Sequence, residues 1–106
     1  MIDHSRLTEL KSEIGEEDFV EVATMFLDEM ATTLRALRAE QAVPTARDFH
    51  SLRGSALNMG FTDLAAACAE AELNVSTGQT ADVVHLEWLF HESLIASGPN
   101  LPSVAA

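Results

Sequence analysis

Bases are scarce in this sequence: six Lys and Arg stand against seventeen Asp and Glu, and none of the six lies beyond Arg53. The formal net charge of −11 argues against nucleic acid as a partner, because its binding depends on cations that neutralise phosphates. Aromatic residues make up 6% against 47% hydrophobic overall, so the core must be built mainly from aliphatic side chains. A single cysteine, Cys68, rules out an intramolecular disulfide framework and fits a reducing compartment. The cytoplasm is the expected location. No apolar run approaches the ~20 residues that a membrane span needs. Met1-Ile2-Asp3-His4 has no basic region leading into an apolar stretch, so no secretory signal is expected. Also missing are a Gly-x-Ser-x-Gly elbow, a glycine-rich phosphate loop and a paired-acid constellation, which argues against hydrolase or kinase chemistry.

What the chain does have is helical periodicity. Asp3 is a suitable cap for a short first helix with Leu7, Leu10 and Ile14 at i, i+3 and i+7, stopped at Gly15. Glu16, Glu17 and Asp18 place negative charge where the dipole of a second helix favours it. Its apolar face is Phe19, Val22, Ala23, Phe26, Leu27, Met30, Leu34 and Leu37, and its expected end is near Ala42. Pro44 reads as the first residue of a third helix, which ends at a left-handed Gly60. Thr62 is the expected cap of a fourth helix, with Phe61 packing forward onto it. Leu64, Ala67, Cys68, Ala71 and Val75 form its buried side and Gly78 stops it. Thr80 is the expected cap of a fifth helix, which runs to about Ser97.

Five helical patterns, short turns and no strand alternation predict an all-α fold, an up-and-down four-helix bundle with a short additional N-terminal helix. Residues 1–98 would form one domain, with 99–106 a frayed tail. The fifth helix carries two stripes. Val83, Leu86, Phe90 and Leu94 make one, and Val84, Trp88 and Ile95 make another about 120° away. Burial on a wide arc is the expectation; the alternative is an exposed patch for a partner or a second copy.

The most informative stretch is Phe49 to Gly60. Phe49, Leu52, Ala56 and Met59 form an apolar stripe, while His50, Arg53, Gly54 and Leu57 fall on the other side of the helix. A glycine inside a helix costs roughly 1 kcal/mol against alanine. A break of this kind points to a functional site.

His50-Ser51-Leu52-Arg53-Gly54-Ser55, followed by Asn58 and Gly60, resembles the signature of the histidine-containing phosphotransfer (HPt) domain of two-component phosphorelays. Leu64, Cys68 and Glu72 are similarly spaced to the family's next helix, with Ala71 where a larger apolar residue is usual. The resemblance covers roughly residues 15 to 97. It implies that His50 is phosphorylated by a receiver-domain aspartyl-phosphate and passes the group to another receiver. Those receivers would belong to a hybrid sensor kinase and a response regulator. It also implies that this chain needs no cofactor, magnesium being bound by the receiver.

The residues support that chemistry. An imidazole on a solvated helix face is partly neutral at cellular pH and can attack phosphorus. Arg53, one turn on, can stabilise charge on the phosphoryl oxygens, and as arginine it adds a bidentate option. Gly54 leaves the surface bare for docking, beside Leu57 and Arg47. Arg47 and Arg53 would form a local positive spot on an acidic exterior. The simpler reading of the many acids is a solvated surface.

Two other readings have a basis in the residues. A module that binds and sequesters a receiver without being phosphorylated would not need His50, Arg53 and Gly54 together. A helical oligomerisation domain would use the Trp88 stripe, although a monomer is expected. A sensor kinase's own dimerisation bundle would show His followed by an acid, whereas Ser51 follows His50. No metal site is expected. His85 and His91 lie six residues apart, roughly 240° around the helix, and no Glu-x-x-His pair occurs. Glu87 and His91 are placed for an i, i+4 surface contact, His4 for a solvated role, and Cys68 for an inert one in the core.

Overall fold

The computed structural model describes residues 2–40, 43–98 and 101. Within them lie five helices: α1 His4–Ile14, α2 Glu16–Arg38, α3 Ala46–Asn58, α4 Thr62–Ser76 and α5 Val83–Ser97. Leu37 lies near Val43 and Pro44, while Met30 and Leu52 share a groove further along, so α2 and α3 run antiparallel. Helices α3 and α4 form the tightest pair, and α5 packs against α4 and α2. The additional helix α1 rests against α2 and α3. The all-α bundle with a short N-terminal helix is therefore the observed architecture. None of its helices is long and apolar enough to cross a membrane, among the described residues.

The core follows the apolar spacing. Phe19, Ala23, Leu27, Met30, Leu34 and Leu37 of α2 are buried, with Phe26 partly so. Phe49, Leu52, Ala56 and Met59 are buried to a residue, as are Leu64, Cys68 and Ala71 of α4. Ala67 and Val75 pack at its margin.

Several helix ends differ from the sequence expectation. Helix α2 stops at Arg38, short of Ala42, because Glu40 takes a left-handed φ of 58° and its N–H turns back to the Leu37 carbonyl at 3.2 Å. Residues 41 and 42 themselves lie outside the described residues. Pro44 is not the first residue of α3. Thr45 caps it through a reciprocal capping box: the Asp48 N–H donates to Thr45 Oγ1 at 3.2 Å, and the Thr45 N–H donates to the Asp48 carboxylate at 3.0 Å. Two backbone donors are satisfied this way, whereas proline at the first helical position would only remove one. Thr62 is the first residue of α4, and Phe61, fully buried, holds the cap position. Asp82 caps α5 in place of Thr80, accepting from the His85 N–H at 3.0 Å. The frayed tail expected over 99–106 lies, apart from Leu101, outside the described residues.

The wide-arc expectation for α5 is also corrected: Val84, Trp88 and Ile95 are 56%, 53% and 73% exposed. The buried face contains Leu86, Leu89, Phe90, Ser93 and Ser97. Hydrophobic spacing does not count the two serines, yet they move the inward direction away from Val83 and Leu94. The Val84–Trp88–Ile95 stripe then points outward.

The turn between α3 and α4 is a tight, buried junction. The Gly60 N–H donates to Leu57 and the Phe61 N–H to Ala56, at 3.2 and 2.8 Å, the paired bonds of a Schellman ending. Gly60 has φ +72°, and a Cβ there would lie 2.5 Å from the Asp3 carbonyl oxygen. The Asp3 N–H donates to the Gly60 carbonyl at 2.7 Å. The chain before α1 is thus pinned to this end of the bundle.

Candidate functional site

Helix α3 presents the candidate residues on the side away from its buried stripe. His50 is 66% exposed at its side chain, and its Nδ1 lies 2.9 Å from Glu72 Oε1 of α4. Glu72 is half-buried, so its carboxylate is held in place by the flank of the bundle. With the carboxylate ionised, the Nδ1–H donates and Nε2 carries the lone pair.

Arg53 is half-buried one turn along α3. It lies toward α4, close enough for its charge to act on Cys68. Burial pushes the Cys68 thiol up to about 12, against the opposing pull of Arg53. Cys68 is therefore a core thiol, not a nucleophile.

Gly54 is exposed, and a Cβ there would meet nothing within 4 Å. Neighbours in the fold therefore do not require glycine at this position. The Asn58 side chain donates to the Gly54 carbonyl at 3.1 Å and accepts from Arg6 Nη2 at 3.2 Å, tying α1 to the last turns of α3. Leu57 is 53% exposed on the same face, and Arg47 is exposed one turn before His50. His50, Arg53, Gly54, Leu57 and Arg47 thus share one surface.

Glu72 is the residue that sequence reasoning left without a role. The signal for it was present. His50 lies eleven residues before Phe61 and Glu72 eleven after it, so an antiparallel pair turning at Phe61 sets them side by side. The other histidines lie apart from this group. His85 stacks on Trp88 at 6.2 Å, and His91 lies 5.6 Å from the Phe90 ring. Glu87 pairs with Arg38 at 2.9 Å, replacing the contact with His91 expected from their spacing. Among the described residues, no group of three or more His, Cys, Asp or Glu is placed to hold a metal ion.

Comparison with protein-family models matches residues 21–95 to the Hpt domain. Neither the curated proteins nor the solved structures contain a match. The matched span takes in α3 and α4 whole, with His50, Arg53, Gly54 and Glu72 inside it. This chain belongs to the Hpt domain family, whose members carry out histidine phosphotransfer in phosphorelays.

Proposed function

We propose that His50 accepts a phosphoryl group from the aspartyl-phosphate of one receiver domain and passes it to the aspartate of another. The protein is in this reading a phosphocarrier, not an independent kinase. The supporting observation is the Glu72–His50 pair. Its 2.9 Å contact engages Nδ1, while an exposed ring leaves Nε2 to meet a partner.

The step balances simply. The Nε2 lone pair attacks phosphorus, the bond between phosphorus and the acyl oxygen breaks, and its electrons leave with the aspartate carboxylate. The imidazole ring gains positive charge as the nitrogen–phosphorus bond forms, and the Glu72 carboxylate stabilises that charge through Nδ1–H. Arg53 stabilises the phosphoryl oxygens. Gly54 lets the partner's loops approach, with Leu57 and Arg47 contributing docking contacts. Magnesium and the acceptor aspartate belong to the receivers, those of a hybrid sensor kinase and of a response regulator, so this chain brings no cofactor. A purely sequestering module would need neither an oriented imidazole nor a cation beside it.

Incubation with a phosphorylated receiver tests this reading. Wild type should take up acid-labile, base-stable label. His50→Gln should fold normally and take up none, and variants at His4, His85 and His91 should label as wild type does. Label retained in the His50 variant would overturn the assignment.

A further inference from the structure

Beside the face that carries His50 runs a groove of about 520 Å³ between α2 and α3. Met30 and Leu52 are among its lining residues, and the charged groups lining it are Asp28, Glu29 and Asp48, with no base. Asp48 is committed to the capping box with Thr45. Asp28 and Glu29 are exposed and enter no ion pair among the described residues. Arg35, on the same side of α2, lies about two turns beyond Asp28.

Acids are common on this protein, and their number alone would mean little. Their position is what matters. Ser51 and Ser55 line the same groove, and they are the chain neighbours of His50 and Gly54. A protein that covers Gly54 to reach His50 therefore overhangs the groove. On the opposite flank of α3, Arg53 is near enough for its charge to act on Cys68 of α4, and Glu72 of α4 meets His50. The docking face is thus uneven: the charged groups lining the groove toward α2 are all acids, whereas toward α4 the Arg53 cation shares the surface with Glu72. Met25, 51% exposed one turn before Asp28, and Leu57, 53% exposed on α3, add apolar contact area. An uneven charge pattern favours one orientation of a partner and disfavours partners of the wrong pattern.

We propose that Asp28 and Glu29 of α2 select the receiver, favouring one whose docking surface carries Lys or Arg on the side that overhangs the α2–α3 groove. This rests on the phosphotransfer reading above. It places partner choice on α2, outside the histidine-bearing motif.

The probes are purified receiver domains charged with acetyl phosphate, each mixed with wild type and with the Asp28→Asn/Glu29→Gln variant. For receivers that transfer to wild type, the variant should raise KM roughly 10-fold at low salt and leave kcat unchanged. The difference should close above ~0.5 M salt, where exposed charges are screened. Direct phosphorylation of His50 by phosphoramidate should be equal in the two proteins. Asp28→Lys/Glu29→Lys should reject those receivers, and exchanging the receiver's facing Lys or Arg for Glu should restore transfer. Equal KM and equal salt dependence for every receiver that charges wild type would overturn the role of α2 while leaving phosphotransfer standing. If no receiver charges wild type, the phosphotransfer reading falls and this inference falls with it.

Discussion

At the scale of single residues, the hydrogen bond between His50 and Glu72 combines two effects that substitution can separate. It selects the tautomer, and it places a negative charge beside a ring that becomes positive. Glutamine at position 72 keeps an acceptor for Nδ1–H and removes the charge; alanine removes both. A neutral hydrogen bond is worth about 0.5–1.5 kcal/mol and a charged one about 1.5–3. Glu72→Gln should therefore slow phosphoryl acceptance roughly 10-fold, and Glu72→Ala up to about 100-fold. The imidazole 15N signals should show the Nδ1–H form retained in the glutamine variant and lost in part in the alanine variant. Alanine and glutamine variants that both transfer at the wild-type rate would remove Glu72 from the mechanism.

At the scale of the helix, α3 tolerates a local weakness at Gly54. A side chain there would meet open space, so glutamine should improve helix propensity by about 0.5–1 kcal/mol. Gly54→Gln should then melt no lower than wild type, and as much as about 4 °C higher. The same side chain would stand in the space a receiver must occupy, so transfer should slow and receiver binding weaken. Melting curves and transfer rates taken together distinguish a docking role from an incidental glycine; a stable variant with wild-type transfer would show the latter.

Helix α3 also shows what can be read in advance. Phe49, Leu52, Ala56 and Met59 announce their burial by spacing, and Gly60 announces the stop because a left-handed residue is required there. The helix start was misread because a proline is a strong local signal, while the Thr45–Asp48 exchange is visible only when both partners are considered. The inward face of α5 was misread because Ser93 and Ser97 are buried despite their hydroxyls. The Ser97 hydroxyl donates to the Ser93 carbonyl at 2.8 Å, which is what makes its burial tolerable. Glu72 stayed without a role because its partner comes from another helix, and pairing across a turn follows only once that turn is located.

At the scale of the whole molecule, the shortage of bases makes one buried group unusually easy to follow. The sequence has no tyrosine and a single lysine, Lys11, so few side chains compete with Cys68 for protons on the alkaline side. The native thiol, raised by burial, holds its proton up to about 12, whereas a thiol of ordinary value loses it near 9.0. Below that window both states keep the proton and stability does not depend on it. Within the window the unfolded chain binds fewer protons than the native one, so stability falls as pH rises. The loss should approach about 1.4 kcal/mol per pH unit, the full value for one proton. Urea unfolding between pH 8 and about 11, in a Lys11→Arg background, would measure that slope. Cys68→Ala lowers stability below that window by leaving a small void, and should flatten the slope within it. If the alanine variant keeps the parent's slope, the alkaline loss arises elsewhere and Cys68 is not the buried acid that the bundle protects.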